Sequence, residues 1–182
     1  VCIVAHSRGT DVLSSALREL TLELGGPAAA TSALKLGVLV YAAADLDLEV
    51  LSQRFSADGL FMLGSRTIFY VHEKDSALGL STWLFSSGTR VGRLRPENLN
   101  AFAKDFLNTY TRLEIVDAQI YTPSNFTHSY FYAHPAVLSD LIVALRDDRA
   151  AGAQNGRPLM HDPSGLWILP KGYPGYTVAP SP

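Results

Sequence analysis

Runs of strand length, rich in apolar, β-branched or aromatic residues, alternate with segments of helical periodicity along most of the chain. Four of these runs suit strands buried on both faces of a parallel sheet. They occupy residues 1–5, 36–43, 66–72 and 112–118. Because helical segments separate consecutive runs, the pattern predicts an α/β architecture with a mostly parallel sheet flanked by helices.

Apolar residues recur at helical spacing between and after these runs. The clearest helices are predicted over 12–24, which ends at Gly25-Gly26-Pro27, and over 135–149, which opens with a proline. Further helices are predicted over residues 48–55, 78–85 and 96–108. Loops are expected over residues 28–33, 90–96 and 122–129.

The last part of the chain differs in composition. From Ala151 onwards prolines and glycines are frequent, and Trp167-Ile168-Leu169 is the one compact apolar cluster. A segment of this kind is expected to lie extended rather than packed. The chain is therefore divided into a packed domain over 1–150 and a Pro- and Gly-rich C-terminal tail over 151–182.

The composition of the 182 residues, 47% hydrophobic and 18% charged, indicates a protein with a packed core. The 15 Lys and Arg residues against 17 Asp and Glu leave a formal charge of −2, so neither nucleic acid nor an anionic membrane is the expected partner. No apolar run reaches the roughly 18 residues of a membrane span. A small-molecule substrate is the more natural partner.

Metal and cofactor chemistry is not indicated. Cys2 is the single cysteine, which excludes an intramolecular disulfide framework and a Cys-rich zinc site. His72, Glu73 and Asp75 stand too close together in sequence to supply three ligands from one strand end. We therefore expect no cofactor and no metal.

The segment Ala5-His6-Ser7-Arg8-Gly9 joins the first predicted strand to the first predicted helix. This small-x-Ser-x-Gly pattern is typical of a nucleophile elbow, a strained turn in which the serine has φ above zero and needs small residues two before and two after it. The turn would point the Arg8 N–H and the first helical turn at the reacting group, where they would stabilise developing negative charge. Ser7 is therefore the candidate nucleophile.

A serine nucleophile needs a general base and an acid that orients the base. Asp75 follows the third predicted strand and His128 follows the fourth, so both are placed at the same carboxyl edge of the sheet as Ser7. Asp45 and Asp47, which follow the second strand, are the alternative acid. Asp47 also suits the cap of the next helix.

The remaining histidines are expected to be structural, and they are His6, His72, His134 and His161. Several aromatic residues surround His128 in the sequence. They are Tyr121, Phe126, Tyr130, Phe131 and Tyr132. Two interpretations stay open for them, an apolar pocket for an acyl or aryl group and a part of the core beneath the last helix.

Four segments, in this order, resemble α/β hydrolases. They are AHSRGT at 5–10, YAAADLD at 41–47, YVHEKDSALGLS at 70–81, and HSYF with PAVLSDL within 128–141. More narrowly, the chain resembles the bacterial α/β-hydrolase family catalogued as a domain of unknown function, from residue 1 to about 146. The resemblance implies Ser7 as nucleophile, Asp75 as acid and His128 as base.

The resemblance also implies that the chain starts at the fifth strand of an eight-stranded sheet and is the C-terminal half of an α/β-hydrolase fold. The first residue is Val1 and it enters a strand at once, so we expect a fragment. The loop that would donate the second oxyanion N–H would then be absent, at a cost of about 10²–10³ in rate.

The function implied is that of a serine hydrolase acting on an ester-type bond of a small molecule. The alternative is a protein of the same fold that binds or interacts with a partner without turnover, because a fold does not determine a function.

Overall fold

A computed structural model describes residues 1–73, 91–93, 95–118 and 128–173 of the chain. Its central strands are β1 (Ile3–His6), β2 (Val38–Ala42), β3 (Arg66–Val71) and β4 (Leu113–Asp117). Each of these strands pairs in parallel with the next, so that their carboxyl ends share one edge of the sheet. The predicted α/β architecture with a mostly parallel sheet is confirmed.

The helices of the described residues are α1 (Gly9–Glu23), α2 (Pro27–Leu34), α3 (Leu48–Leu51), α4 (Ala101–Thr109), α5 (Tyr130–Ala133) and α6 (Pro135–Asp147). A π-helical segment, Ser52–Ala57, continues α3. Among these helices none is long and apolar enough to cross a membrane.

The helices cover both faces of the sheet. Side chains alternate along β2, because successive residues of a strand point to opposite faces. Leu39 packs in the apolar cluster that contains Leu17 of α1, and Val40 packs in the cluster that contains Val137 of α6. Strands β2, β3 and β4 are therefore buried on both sides, as their continuous apolar runs predict. The prediction is wrong for β1, where Val4 is 41% exposed, because β1 pairs only with β2 among the described strands.

Residues 28–33 are helical, which corrects the expectation of a loop. Pro27 stands at the start of α2, and the preceding Gly26 has a φ of 123° that turns the chain after α1. Alanine favours a helix even where no amphipathic pattern marks one. This stretch therefore forms a helix although its sequence has no apolar periodicity.

The helix predicted over 96–108 begins later, at Ala101, because Pro96–Asn98 form a 3-10 turn. The Asn100 side-chain oxygen accepts a hydrogen bond from the Ala103 N–H at 2.8 Å and so caps α4. The predicted helix over 78–85 and most of the predicted loop over 122–129 lie outside the described residues.

Residues 151–173 pack on the sheet, so the expectation of an extended tail is wrong for this part. Strand β6 (Trp167–Ile168) pairs in parallel with β4, and β5 (Met160–His161) pairs with β6 in an antiparallel hairpin. The order of strands is β1-β2-β3-β4-β6-β5. Residues 174–182 lie outside the described part of the chain, and a domain boundary at residue 150 stays a prediction.

A buried ionic cluster explains how this segment is attached. Arg157 is fully buried and donates to Asp140 through Nε and Nη2, both at 2.9 Å, and to Glu114 through Nη1 at 2.6 Å. The hydroxyls of Tyr70 and Tyr173 each donate to Asp140 at 2.7 Å. We call these five residues the Arg157 cluster. The cluster joins β3, β4, α6 and the C-terminal segment. Its members are far apart in the sequence, so no local pattern reveals it.

Candidate active site

Ser7 lies in the turn between β1 and α1, and its backbone is left-handed with a φ of 54°. The Ser7 N–H donates to the Ala42 carbonyl oxygen at 3.0 Å, which ties the turn to the end of β2. The Ser7 carbonyl oxygen accepts hydrogen bonds from the Thr10 N–H at 3.0 Å and from Thr10 Oγ1 at 2.6 Å. These bonds maintain the positive φ that the sequence pattern predicts.

The crowding that would require a small residue two positions after Ser7 is not found among the described residues. A Cβ built on Gly9 has no heavy atom of another described residue within 4 Å, apart from the atoms of its own helix and chain neighbours. The space beside Gly9 is open, so glycine here is not explained by crowding.

A second left-handed turn stands beside the first. Ala43 has a φ of 46° and follows β2 as Ser7 follows β1, since His6 and Ala42 are register partners. Its N–H donates to the Tyr70 carbonyl oxygen at 3.1 Å. Two neighbouring strands therefore end in the same unusual conformation at one edge of the sheet.

Asp45 touches the Ser7 turn through both its backbone and its side chain. Its N–H donates to the Ser7 carbonyl oxygen at 3.4 Å, and its Oδ2 lies 3.5 Å from Arg8 Nη1. The Asp45 side chain is buried and that of Arg8 is 65% exposed. This pair positions the residue whose N–H is the candidate oxyanion donor.

Asp47 lies one step further along. It is half-buried, and its carbonyl oxygen accepts from the Leu51 N–H at 2.9 Å. This bond closes the first turn of α3. Asp47 therefore lies directly before a helix, as its sequence position predicts.

His128 lies next to the residue that precedes Ser7. His6 Nε2 is 3.0 Å from the His128 carbonyl oxygen, a hydrogen bond when Nε2 bears the proton, and the two rings have centroids 4.6 Å apart. This contact fits the structural role predicted for His6, and that role stays a prediction. Because His6 adjoins Ser7, this contact brings the start of the described His128 segment alongside the turn.

Asp75, the acid that the family resemblance implies, lies outside the described residues. The structure brings together Ser7, Arg8, Asp45 and the His128 segment, and the position of Asp75 relative to them stays a prediction. The alternative acids, Asp45 and Asp47, both lie among the described residues.

Two of the aromatic residues after His128 belong to or pack on the core. Tyr130 is fully buried in the core, and half-buried Phe131 packs against the same cluster and lies 4.7 Å from the His6 ring. Tyr132 is 57% exposed. Tyr121 and Phe126 lie outside the described residues.

Tyr130 has a polar role that the sequence did not indicate. Its hydroxyl donates to the Tyr70 carbonyl oxygen at 2.7 Å and accepts from the Ala43 N–H at 3.2 Å. No local pattern reveals these contacts, because the three residues are 60 and 87 positions apart. The sequence offers no more than the presence of a tyrosine at this position, whose hydroxyl needs a hydrogen-bond partner when it is buried.

No group of three or more His, Cys, Asp or Glu residues within the described ranges is arranged to bind a metal ion. The chemistry that this edge of the sheet offers is that of a hydroxyl, an imidazole, carboxylates and a backbone N–H.

The comparisons with known proteins identify a family. No curated protein and no solved structure matches the chain. A family model described as an alpha/beta hydrolase of unknown function (DUF900) matches residues 1–146, which include β1 to β4, the Ser7 turn and most of α6. The match covers most of the chain and agrees with the parallel sheet flanked by helices. The protein therefore belongs to the DUF900 family of α/β hydrolases.

Proposed function

We propose that the protein is a serine hydrolase that cleaves an ester-type bond of a small molecule, with Ser7 as the nucleophile. The observation that carries the proposal is the left-handed backbone of Ser7 between the end of β1 and the start of α1. A residue other than glycine is strained there by about 1–2 kcal/mol, and strain of this kind clusters at active sites. Membership of an α/β-hydrolase family supports hydrolytic chemistry.

In the proposed reaction, Ser7 Oγ attacks the carbonyl carbon of the substrate while His128 accepts the hydroxyl proton. The Arg8 N–H donates to the oxyanion of the tetrahedral intermediate. When the bond to the leaving group breaks, His128 returns the proton to the leaving oxygen. Water then attacks the acyl group with His128 again as base, which releases the acid and restores Ser7.

We propose Asp75 as the acid that orients the His128 imidazole, with Asp45 and Asp47 as the alternatives. Asp75 rests on the family resemblance. Asp45 has the support of burial beside the Ser7 turn, but its carboxylate already pairs with Arg8. That pair suits a role in positioning the oxyanion donor.

The test is the labelling of the protein by a serine-reactive fluorophosphonate, with the adduct located by mass mapping. We expect an adduct on Ser7 of the parent, no adduct at position 7 of Ser7→Ala, and a rate of adduct formation lower by about 10²-fold or more in His128→Ala and Asp75→Asn. Asp45→Asn tests the alternative acid in the same assay.

Ser15→Ala and His134→Ala are matched controls, since Ser15 lies in the body of α1 and half-buried His134 precedes α6. Both should be labelled like the parent. If the folded parent is not labelled, or if Ser7→Ala is labelled as well as the parent, the enzyme proposal fails and a non-catalytic protein of the same fold takes its place. A larger loss in Asp45→Asn than in Asp75→Asn would exchange the two acids.

A further inference from the structure

The Tyr130 hydroxyl joins three elements at the carboxyl edge of the sheet. Tyr130 opens α5 and is fully buried, and its hydroxyl bridges the Tyr70 carbonyl oxygen at the end of β3 and the Ala43 N–H just after β2. The His72 ring packs on the Tyr130 ring with centroids 5.6 Å apart. A buried phenol with both its donor and its acceptor capacity used is fixed in place.

The partner of this hydroxyl is a strained residue. Ala43 has a φ of 46°, so its peptide stays in the left-handed conformation only if its surroundings maintain it. The Ala43 N–H lies 3.1 Å from the Tyr70 carbonyl oxygen and 3.2 Å from the Tyr130 hydroxyl. Ala42, directly before it, accepts the Ser7 N–H at 3.0 Å. The Tyr130 hydroxyl therefore stabilises the turn at Ala43, and the residue before Ala43 holds the Ser7 turn.

The same tyrosine fixes the position of the His128 segment. Tyr130 follows His128 by two residues, and the His128 carbonyl oxygen is bonded to His6 Nε2 at 3.0 Å. His128 is thus attached on one side to the residue before Ser7 and on the other, through Tyr130, to the turn beside Ser7. Three hydrogen bonds, to the ends of β1, β2 and β3, leave the segment little freedom.

We infer that Tyr130 is a positioning residue that sets His128 against the Ser7 turn through its hydroxyl bridge to Ala43 and Tyr70. The inference rests on the proposed function, because it gives Tyr130 a part in the work of the proposed base. Tyr130 acts through the backbone of Ala43 and the chain that leads to His128.

The test compares Tyr130→Phe with Tyr132→Phe, a matched change of the 57% exposed tyrosine two positions along the same helix. The rate of fluorophosphonate labelling at Ser7 is measured across the pH range in which a histidine base deprotonates, about pH 5 to 9. We expect Tyr130→Phe to label at least about tenfold more slowly, with a displaced or flattened rise of rate with pH. Tyr132→Phe should keep the rate and profile of the parent.

The pH profile separates positioning from a merely structural role, since a loss of folded protein lowers all rates by one factor and leaves the profile unchanged. If the folded Tyr130→Phe variant has the parent's rate and profile, the inference is overturned while the proposed function stands. If the parent itself is not labelled at Ser7, the proposed function fails instead.

Should Tyr130→Phe not fold, the residue is replaced by 3-fluorotyrosine, which keeps the ring and the hydroxyl. The ¹⁹F resonance is then followed while Ser7 is labelled. We expect it to shift, because the hydroxyl bridge couples it to the Ser7 turn. A resonance that does not change when Ser7 is labelled would overturn the inference.

Discussion

At the scale of single residues, Ser7 occupies a backbone conformation that costs an L-amino acid about 1–2 kcal/mol relative to an ordinary one. Glycine would meet the same φ of 54° without this cost. The choice of serine therefore opposes stability at this position. Conflicts of this kind are expected where a side chain is needed for chemistry.

This conflict predicts an unusual order of stabilities. Ser7→Gly should unfold at higher urea concentration than Ser7→Ala, by about 1 kcal/mol in the free energy of unfolding, because glycine relieves the left-handed strain. The same pair of substitutions at Ser15, within α1, should show the reverse order by about 1 kcal/mol. Equal stability of the two Ser7 variants would refute the interpretation of Ser7 as strained.

The Ser7 turn is accessible to sequence reasoning because its signals in the sequence are local, although its N–H also bonds to the distant Ala42. An apolar strand, a serine flanked by Ala5 and Gly9, and an amphipathic helix follow one another without interruption. The contact between His6 and His128 was not accessible in this way, since 122 positions separate the two residues. Parallel topology indicates only that both lie at one edge of the sheet.

At the scale of elements, the C-terminal segment depends on the Arg157 cluster. The pairing of β6 with β4 involves only two register partners, Val116 with Trp167 and Asp117 with Ile168. Burial acts to lower the pKa of the Arg157 guanidinium, but the hydrogen bond to Asp140 and the charge of Glu114 raise it above its ordinary value. Arg157 therefore stays charged inside the fold, and its partners keep it there.

Removal of this guanidinium should be strongly destabilising. Arg157→Met leaves the buried Asp140 carboxylate with tyrosine hydroxyls and no cation, so we expect a loss of about 3–5 kcal/mol in the free energy of unfolding. Arg149→Met is the matched control. Arg149 is 48% exposed and lies 3.3 Å from Asp147, and its replacement should cost no more than about 0.5 kcal/mol.

Urea denaturation of both variants, followed by circular dichroism, measures the difference. An Arg157→Met variant as stable as Arg149→Met would show that the cluster does not attach the C-terminal segment.

The elements divide in the same way into those that a local pattern reveals and those that it does not. Helices α1 and α6 show apolar periodicity, and the buried strands are continuous apolar runs. Helix α2 has no apolar stripe, so apolar periodicity does not reveal it although its alanines favour a helix. The packing of residues 151–173 depends on a buried arginine whose partners, Glu114 and Asp140, stand 43 and 17 positions away.

At the scale of the whole molecule, the sheet is enclosed by helices, and two of its central strands bury a tyrosine. Tyr41 of β2 and Tyr70 of β3 are both fully buried. Burial raises the pKa of the Tyr41 hydroxyl, and burial together with the negative charge of Asp140 raises the pKa of the Tyr70 hydroxyl well above its ordinary value. The folded state therefore favours the neutral form of both phenols.

The raised pKa values predict a loss of stability in alkali. A group whose pKa is raised by folding stabilises the folded state fully below its unfolded pKa, about 10 for tyrosine, and this contribution is lost as the pH rises further. Urea denaturation at about pH 8 and at about pH 11 should show the loss in the parent. Tyr41→Phe should reduce it, because a phenylalanine has no proton to release.

Tyr41 is the right site for this test because its hydroxyl has no hydrogen-bond partner among the described residues. Its removal should leave the stability at pH 8 unchanged or raise it by up to about 1 kcal/mol. Tyr110→Phe, at a 43% exposed position, is the control and should keep the alkaline loss of the parent. An alkaline loss as large in Tyr41→Phe as in the parent would contradict the assignment.

The place of Arg157 in the chain has a consequence for synthesis on the ribosome. Glu114 and Asp140 are translated first, and Arg157 is the last of the charged members of the cluster to emerge. A nascent chain that already contains β1 to β4 and α6 still lacks the cation that lets the Asp140 carboxylate be buried. The face of the sheet that α6 covers can therefore be packed only after residue 157 has been translated. The order of translation thus sets the order in which the fold is completed.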